Sequence, residues 1–235
     1  MKGGSEYRKF RNQRSSSLAY HLRNYPILLQ LDFMPENFLQ IQKEYLRQVW
    51  LRPPEELETV LPARRHGNSF HFKAFGERCE LYPHEIILGG QKLTGPEGIL
   101  IAMYATHVHN EQPQLHPLRS FKELPGSMPY QGAFATNAEK ILSPYVPSLQ
   151  HHQQELAVRF SGHPNPDAPS GDFSFTLYPL PRIPLYYIFY LPDEEFPASV
   201  TCLFPTHAAH FMPVDGLADV AEFTARKVVQ LVKEA

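Results

Sequence analysis

Proline is the feature of this sequence that most restricts its fold. The chain of 235 residues contains 23 prolines, about twice the ~5% of an average protein, and 13 glycines. Proline lacks a backbone N–H and disrupts the interior of helices and central strands. We therefore expect few long uninterrupted helices, and many stiff loops between the elements.

The remaining composition describes a chain that is able to bury a full core. Hydrophobic residues make up 43% and charged residues 20% of the sequence, which excludes a disordered tail or a fibrous repeat. The N-terminal stretch lacks the apolar region of a secretory signal, and the most apolar charge-free run, 183–192, is too short to span a membrane. We predict a soluble, cytoplasmic protein without a membrane span.

Charge is distributed unevenly along the chain. Residues 1–23 carry a net charge of +5, whereas the whole chain carries −2. We predict a basic, poorly ordered N-terminal arm over residues 1–23, followed by a single domain over residues 24–235. The arm has the chemistry to contact nucleic acid or an acidic partner, but nucleic acid is the weaker interpretation because no basic domain follows.

Two segments show the spacing of buried helices. Apolar residues recur at helical intervals from Pro35 to Trp50, with Gln42 as the one polar gap on that face. An apolar run after Thr94 predicts a second helix that ends near His107.

Three candidate N-terminal caps accompany the predicted helices. Ser/Thr-x-x-Glu spacing occurs at residues 94–97 and 136–139 and predicts two capping boxes. Asp215 is placed to cap a last helix, whose apolar stripe runs from Leu217 to Val232.

The strand signals favour antiparallel pairing. Residues 69–75 alternate between apolar and polar side chains and continue at 78–82, which predicts a hairpin. Three further strands are predicted between Asp172 and Phe204, joined by links that are too short for a parallel return. We predict an α+β protein with a mainly antiparallel sheet of about five strands and helices packed on it.

The two cysteines provide no metal or redox motif. Cys79 and Cys202 are too far apart in sequence to form a metal knuckle or a Cys-x-x-Cys pair, and each lies in a strand-like run. We interpret both as reduced residues of the core, where cysteine packs as a small hydrophobe.

A family resemblance rests on stretches that occur in a fixed order. They are Ser120–Gly126, then Gly171–Phe175 leading to Pro179–Pro184, then Asp193–Pro197 followed by Leu203-Phe204. Together they resemble the prokaryotic family known as domain of unknown function 3786, over roughly Glu36 to Val232.

The resemblance implies a setting rather than a reaction. Other members of that family are often joined to cysteine-rich iron–sulfur modules in anaerobes, which implies redox or corrinoid-linked metabolism. Two scattered cysteines cannot supply the four thiolates of a cluster. An iron–sulfur or corrinoid protein would therefore be a separate partner chain.

Two histidine pairs are candidate metal or cofactor ligands. His207 and His210 share one face of a helical turn and suit a divalent metal, with Glu195 of the acidic run 193–195 as a third ligand. His107 and His109 follow a buried helix and are alternative axial ligands for a tetrapyrrole. In each case an ordinary surface or capping histidine explains the same residues.

Three charged residues are candidate ligand-binding groups. Arg182, at a tight connection among prolines, has the rigid fork to bind a carboxylate of the protein or an anionic ligand, and Asp193 is one such partner. Asp172 precedes a strand and either orients a ligand or closes a turn.

No complete catalytic signature is present in the sequence. It lacks the glycine-rich phosphate loops and the Gly-x-Ser-x-Gly elbow of serine hydrolases. The leading hypothesis is a noncatalytic ligand- or partner-binding accessory domain. The alternatives are a metal-dependent enzyme that uses His207 and His210, a tetrapyrrole carrier, and an interaction protein that uses the basic arm; the cofactor is not defined by the sequence.

Overall fold

A computed structural model describes residues 35–166 and 171–234, which form an α+β fold with two antiparallel sheets. The basic arm predicted over residues 1–23 lies outside these residues. The helices are α1 Pro35–Val49, α2 Pro54–Val60, α3 Pro96–His107, α4 Gln131–Phe134, α5 Val146–Arg159, α6 Ala208–Phe211 and α7 Val214–Glu234. The strands are β1 Arg64–His66, β2 Ser69–Ala74, β3 Glu77–Leu81, β4 Ile86–Leu88, β5 Gln91–Lys92, β6 Leu118–Ser120, β7 His163–Pro164, β8 Phe173–Leu180, β9 Ile183–Tyr190 and β10 Ser199–Pro205.

The first sheet is a meander of five strands in the order β1-β2-β3-β4-β5. The predicted hairpin is its centre, where Phe72 pairs with Cys79 and the chain turns at Phe75 and Gly76, both with positive φ. The alternation seen in the sequence places Phe70 and Phe72 in the core and His71 on the opposite face.

The second sheet has the strand order β6-β10-β9-β8-β7, again with antiparallel pairing throughout. The three strands predicted between Asp172 and Phe204 are its centre. One face carries a stacked aromatic cluster that includes Phe175, Tyr187 and Phe189, all buried. The α+β class is confirmed, but the described strands form two sheets of five. The sequence did not predict β1, β4, β5, β6 and β7, because these strands are too short to show an alternating pattern.

The helices pack around these sheets in one continuous core. The predicted helix at residues 35–50 is α1, which packs on α3, and α3 is buried from Gly98 to Ala105. The polar gap Gln42 lies in this helix–helix contact, 1% exposed, with its side chain against Gly98. No helix within the described part of the chain is long and apolar enough to cross a membrane.

The predicted helix caps are wrong in detail. Gly95, rather than Thr94, is the N-cap of α3 and makes no side-chain cap bond. The segment Ala135–Glu139 is a π-helical turn within a longer helical stretch, so Thr136 bonds back to the Gly132 carbonyl instead of capping. Asp215 lies inside the first turn of α7 and is buried.

The capping box that the structure does contain lies within the first motif of the family resemblance. The Ser120 amide and hydroxyl both donate to the Glu123 carboxylate, at 2.9 and 2.6 Å. These two hydrogen bonds are the main cause of the lowered pKa of Glu123. Serine therefore occupies the capping position at the start of the short 3₁₀ turn Phe121–Glu123.

Candidate functional site

The structure places the predicted site residues at two opposite ends of the second sheet. Strand β9 separates Arg182 from Asp193, and its eight residues span about 26 Å. Pairing of β10 with β9 puts His207 at the Arg182 end, and pairing of β8 with β9 puts Asp172 at the Asp193 end. These residues therefore do not meet in one hollow.

Both aspartates are used by local turns. The Asp172 carboxylate accepts the Leu191 amide at 2.7 Å, which ties β8 to the end of β9. The Asp193 carboxylate accepts the amides of Glu195 and Phe196 at 2.8 and 2.7 Å. The second arrangement is an Asx turn, in which a carboxylate satisfies the amides that follow it.

The His207–His210 pair is present, but its proposed third ligand is distant. The two imidazole centroids are 5.1 Å apart and both side chains are exposed. Glu195 lies beyond the other end of β9. Across residues 35–166 and 171–234, no three His, Cys, Asp or Glu side chains gather as metal ligands.

The second histidine pair follows the end of α3. Nδ1 of His107 donates to the Met103 carbonyl at 2.9 Å, one helical turn back, and its ring faces Tyr45. His109 is exposed in the following loop. Neither histidine lines either of the two hollows described below.

Arg182 is a buried clamp on backbone carbonyls. Its guanidinium donates to the carbonyls of Val60, Thr59 and Glu111 at 2.9, 2.9 and 2.8 Å, and its side chain is 3% exposed. Its backbone amide donates to the Tyr104 hydroxyl at 3.2 Å. From the sequence we expected the Arg182 guanidinium to bind a carboxylate or an anionic ligand. In the structure each of its three nitrogens instead donates to a backbone carbonyl.

The segments held by Arg182 border two neighbouring hollows. Thr59 and Val60 end α2 and lead directly to Pro62, which lines the first hollow. Glu111 belongs to the loop that continues to Leu115, which lines the second hollow. Arg182 therefore fixes one wall of each hollow without lining either.

The larger hollow, here the wide hollow, has a volume of ≈ 320 Å³ and lies where the two sheets meet. The sheets are joined beside it by a hydrogen bond from the Phe75 amide to the Pro179 carbonyl, at 2.6 Å. Three polar and three apolar residues line it: Lys73, Ser161, Tyr178, Pro62, Phe72 and Pro181.

Ser161 reaches the wide hollow through an unusual helix ending. It follows α5 with a φ of +57°, and its amide donates to the Val158 carbonyl while the Gly162 amide donates to the Ala157 carbonyl. This pair of bonds is the Schellman motif, whose left-handed position glycine normally occupies. A serine there accepts a backbone conformation that side chains disfavour, and this type of strain is frequent at binding sites.

Lys73 and Tyr178 face the same space from two different sheets. The Lys73 ammonium donates to the Val158 carbonyl at 3.3 Å, at the C-terminal end of α5. The Tyr178 side chain is half-buried, which raises the pKa of its hydroxyl. Within the described residues that hydroxyl makes no hydrogen bond, so it is available to a ligand as a neutral donor.

The smaller hollow, here the narrow hollow, has a volume of ≈ 80 Å³. It lies between β7, β8, β9 and the loop before β6, and its lining residues are Leu115, His116, Leu118, His163, Asn165, Thr176, Pro184 and Tyr186. On its floor the Asn165 side chain donates to the Thr176 hydroxyl at 3.1 Å, and Ser174 donates to the Asn165 carbonyl at 3.1 Å.

Sequence reasoning missed the polar residues of the wide hollow. Lys73 occupied an ordinary solvent position of an alternating strand, and Tyr178 was one aromatic among many. Ser161 followed a predicted helix, and only its place directly before Gly162, where that helix was expected to stop, pointed to a special backbone conformation.

Comparison with known proteins gives a family and nothing finer. A family model described as Domain of unknown function (DUF3786) matches residues 53–227, more than half of the chain. The matched region contains both sheets and every residue that lines the two hollows. No curated protein and no solved structure matches the chain.

Proposed function

The chain belongs to the DUF3786 family, and from this premise and the geometry of the wide hollow we propose that it is a noncatalytic ligand-binding accessory domain. The ligand class is a small organic anion with a flat apolar body. The observation that carries the proposal is the convergence of Lys73, Ser161 and Tyr178 on an apolar-walled hollow of ≈ 320 Å³. Volumes of about 300–1,000 Å³ with a few convergent polar groups are typical of small-molecule sites.

The charged end of the ligand is assigned to Lys73. An ammonium has three donors, and among residues 35–166 and 171–234 one of them is used on the Val158 carbonyl. A carboxylate therefore gains a charge-assisted hydrogen bond without breaking an ion pair. Ser161 and Tyr178 add hydroxyl donors beside it.

The flat body of the ligand is assigned to the apolar walls. Phe72 is buried against the core and lines the hollow, and Pro62 and Pro181 contribute stiff apolar surfaces. Proline and aromatic walls change shape little on binding, so little conformational entropy is lost when the ligand enters.

The noncatalytic part of the proposal rests on the side chains of the hollow. The six residues that line it carry one amine and two hydroxyls, and none carries an imidazole, carboxylate or thiol. Burial raises the pKa of the Cys79 and Cys202 thiols well above the usual range, so both remain protonated in the core. Without an imidazole or carboxylate beside them, the Ser161 and Tyr178 hydroxyls are assigned to hydrogen bonding rather than to nucleophilic or acid–base chemistry.

The metabolic setting is a separate part of the proposal. Accessory work beside redox or corrinoid proteins of anaerobes, with an iron–sulfur or corrinoid protein as partner, is supported by the family resemblance alone. It concerns the partner of the chain, whereas the wide hollow concerns its ligand.

A titration with a minimal probe tests the ligand site. We expect benzoate to shift the backbone amide NMR signals of residues around the wide hollow, and the uncharged benzamide to bind at least tenfold more weakly. Lys73→Met is expected to reduce benzoate affinity tenfold or more, because the charged hydrogen bond is lost, and to leave benzamide affinity unchanged.

Lys92→Met is the matched control. Lys92 lies on β5 of the same sheet and pairs with Glu85 at 2.7 Å, away from the hollow, so benzoate affinity should not change. Absence of benzoate binding, or equal binding by the wild type and Lys73→Met, would contradict the proposal.

A further inference from the structure

On the basis of that proposed function, we infer that the narrow hollow is the second half of the same ligand site and takes a short apolar tail of the ligand. The wide hollow then holds the charged ring and the narrow hollow holds the group that extends from it. The ligand class becomes an aromatic carboxylate with a short alkyl substituent opposite the carboxylate.

Strand pairing places the two hollows side by side along β8. His163 pairs with Thr176, and both line the narrow hollow. Two residues along, Ser161 and Tyr178 line the wide hollow, and the Tyr178 amide donates to the Phe160 carbonyl. Two residues of a strand advance about 6.6 Å, so the hollows are neighbours along the strand.

The backbone of β8 changes direction at the boundary between the hollows. The regular pairing of β8 with β9 is interrupted between Leu177 and Leu180 by a bulge. Tyr178 lies within this irregular segment, and a bulge re-aims the side chains it contains.

The polar groups of Asn165, Thr176 and Tyr186 in the narrow hollow are already hydrogen-bonded within the protein. The Asn165 amide and the Thr176 hydroxyl bond to each other, and the Ser174 and Tyr186 hydroxyls are 3.3 Å apart. A polar ligand group would have to displace these bonds, whereas an apolar group leaves them intact.

The walls and the size of the narrow hollow specify an apolar tail. Leu115, Leu118 and Pro184 form its apolar walls, and His116 and His163 are exposed at its rim. A water molecule occupies about 30 Å³ of liquid, so a hollow of ≈ 80 Å³ accommodates about three heavy atoms. An ethyl or propyl group fits this space.

The experiment compares benzoate with 4-propylbenzoate by amide NMR titration of the full chain. Each buried methylene is expected to increase affinity about fourfold, so the propyl compound should bind at least tenfold more tightly. It should also shift the signals of Thr176 and Asn165, which benzoate leaves unchanged.

A filled hollow provides the decisive variant. Leu115 lies half-buried in a loop, so Leu115→Trp should fill the narrow hollow and remove the gain of 4-propylbenzoate over benzoate when both are measured on the same variant. Leu51→Trp, at a side chain that is 85% exposed, is the control and should retain the gain.

The outcomes separate this inference from the proposed function. If benzoate binds through Lys73 but the propyl group adds nothing, the shared site is refuted while the ligand-binding function stands. A gain that persists in Leu115→Trp also refutes it, because the tail then lies elsewhere. If neither compound binds, the proposed function itself fails.

Discussion

Glu139 is a partly buried carboxylate that contacts the second sheet. Its carboxylate accepts the backbone amide of Cys202 at 2.9 Å, and Cys202 in turn lies against the buried Tyr187 hydroxyl on the neighbouring strand. Burial raises the pKa of Glu139, although the Cys202 hydrogen bond and Lys122 act in the opposite direction. The charged form therefore lowers the stability of the fold.

We predict that Glu139→Gln removes a pH-dependent loss of stability. Because the folded-state pKa lies above the unfolded-state value, the contribution of Glu139 to wild-type stability is most favourable below the unfolded-state pKa and is lost as pH rises through the folded-state pKa. The glutamine still accepts the Cys202 amide but does not ionise. Urea denaturation between pH 4 and pH 8 should show the variant gaining stability relative to the wild type as pH rises.

The control for this prediction is Glu155→Gln on the exposed face of α5. It should follow the wild-type pH profile. A Glu139→Gln curve parallel to that of the wild type would show that the buried carboxylate does not cause the pH dependence.

Among the elements, α5 has the ending that most affects the site. Its Schellman motif places Ser161 in a left-handed conformation, and the next residue, Gly162, passes so close to β8 that a Cβ would lie 1.8 Å from the Thr176 carbonyl oxygen. Position 161 therefore accepts a side chain at the cost of backbone strain. Position 162 excludes a side chain, because a Cβ there would clash with β8.

We predict opposite effects at these two adjacent positions. Ser161→Gly should raise the free energy of unfolding by about 0.5–1 kcal/mol, because glycine adopts positive φ without the steric penalty. Gly162→Ala should lower it by about 2 kcal/mol or more, through the clash with β8. Urea denaturation measures both, and a Ser161→Gly variant no more stable than the wild type would argue against strain at this turn.

The helices and long strands were predictable from the sequence because their signals are local. The periodicity between Pro35 and Trp50 and the alternation around Phe72 are both properties of a short window. The two predicted capping boxes were wrong because Ser/Thr-x-x-Glu spacing also occurs away from helix N-termini, as in the π-helical turn that contains Thr136. Short strands such as β4 and β5 carried no usable pattern.

At the scale of the whole molecule, the site is assembled from segments that are distant in sequence. Lys73 and Ser161 are separated by 88 positions and meet only because the two sheets join at Phe75 and Pro179. The sequence marked Arg182 as a candidate binding group, but in the structure its partners are backbone carbonyls, which no side-chain pattern reveals. The predicted Arg182–Asp193 pairing is not formed, because β9 lies between the two residues.

We predict that Arg182→Met loosens both walls of the site together. Three carbonyls from α2 and the loop at Glu111 lose their shared donor, which should lower the free energy of unfolding by about 2 kcal/mol or more. Hydrogen exchange should increase in residues 59–62 and 111–118 at once.

Arg182→Lys distinguishes charge from geometry in that clamp. Lysine keeps the positive charge but lacks the planar fork that reaches separate acceptors, so it should restore protection to at most one wall. Unchanged exchange at both walls in Arg182→Met would show that the loops are held by other contacts.

The two sheets also differ in the stage of protein synthesis at which all their strands are available to pair. All strands of the meander lie between Arg64 and Lys92, so its pairings close short loops at a small entropic cost. The pairing of β6 with β10 joins Ser120 to Leu203 and must wait until most of the chain has left the ribosome. The wide hollow, which needs both sheets, is therefore completed late, and a nascent chain presents half of it before the other half exists.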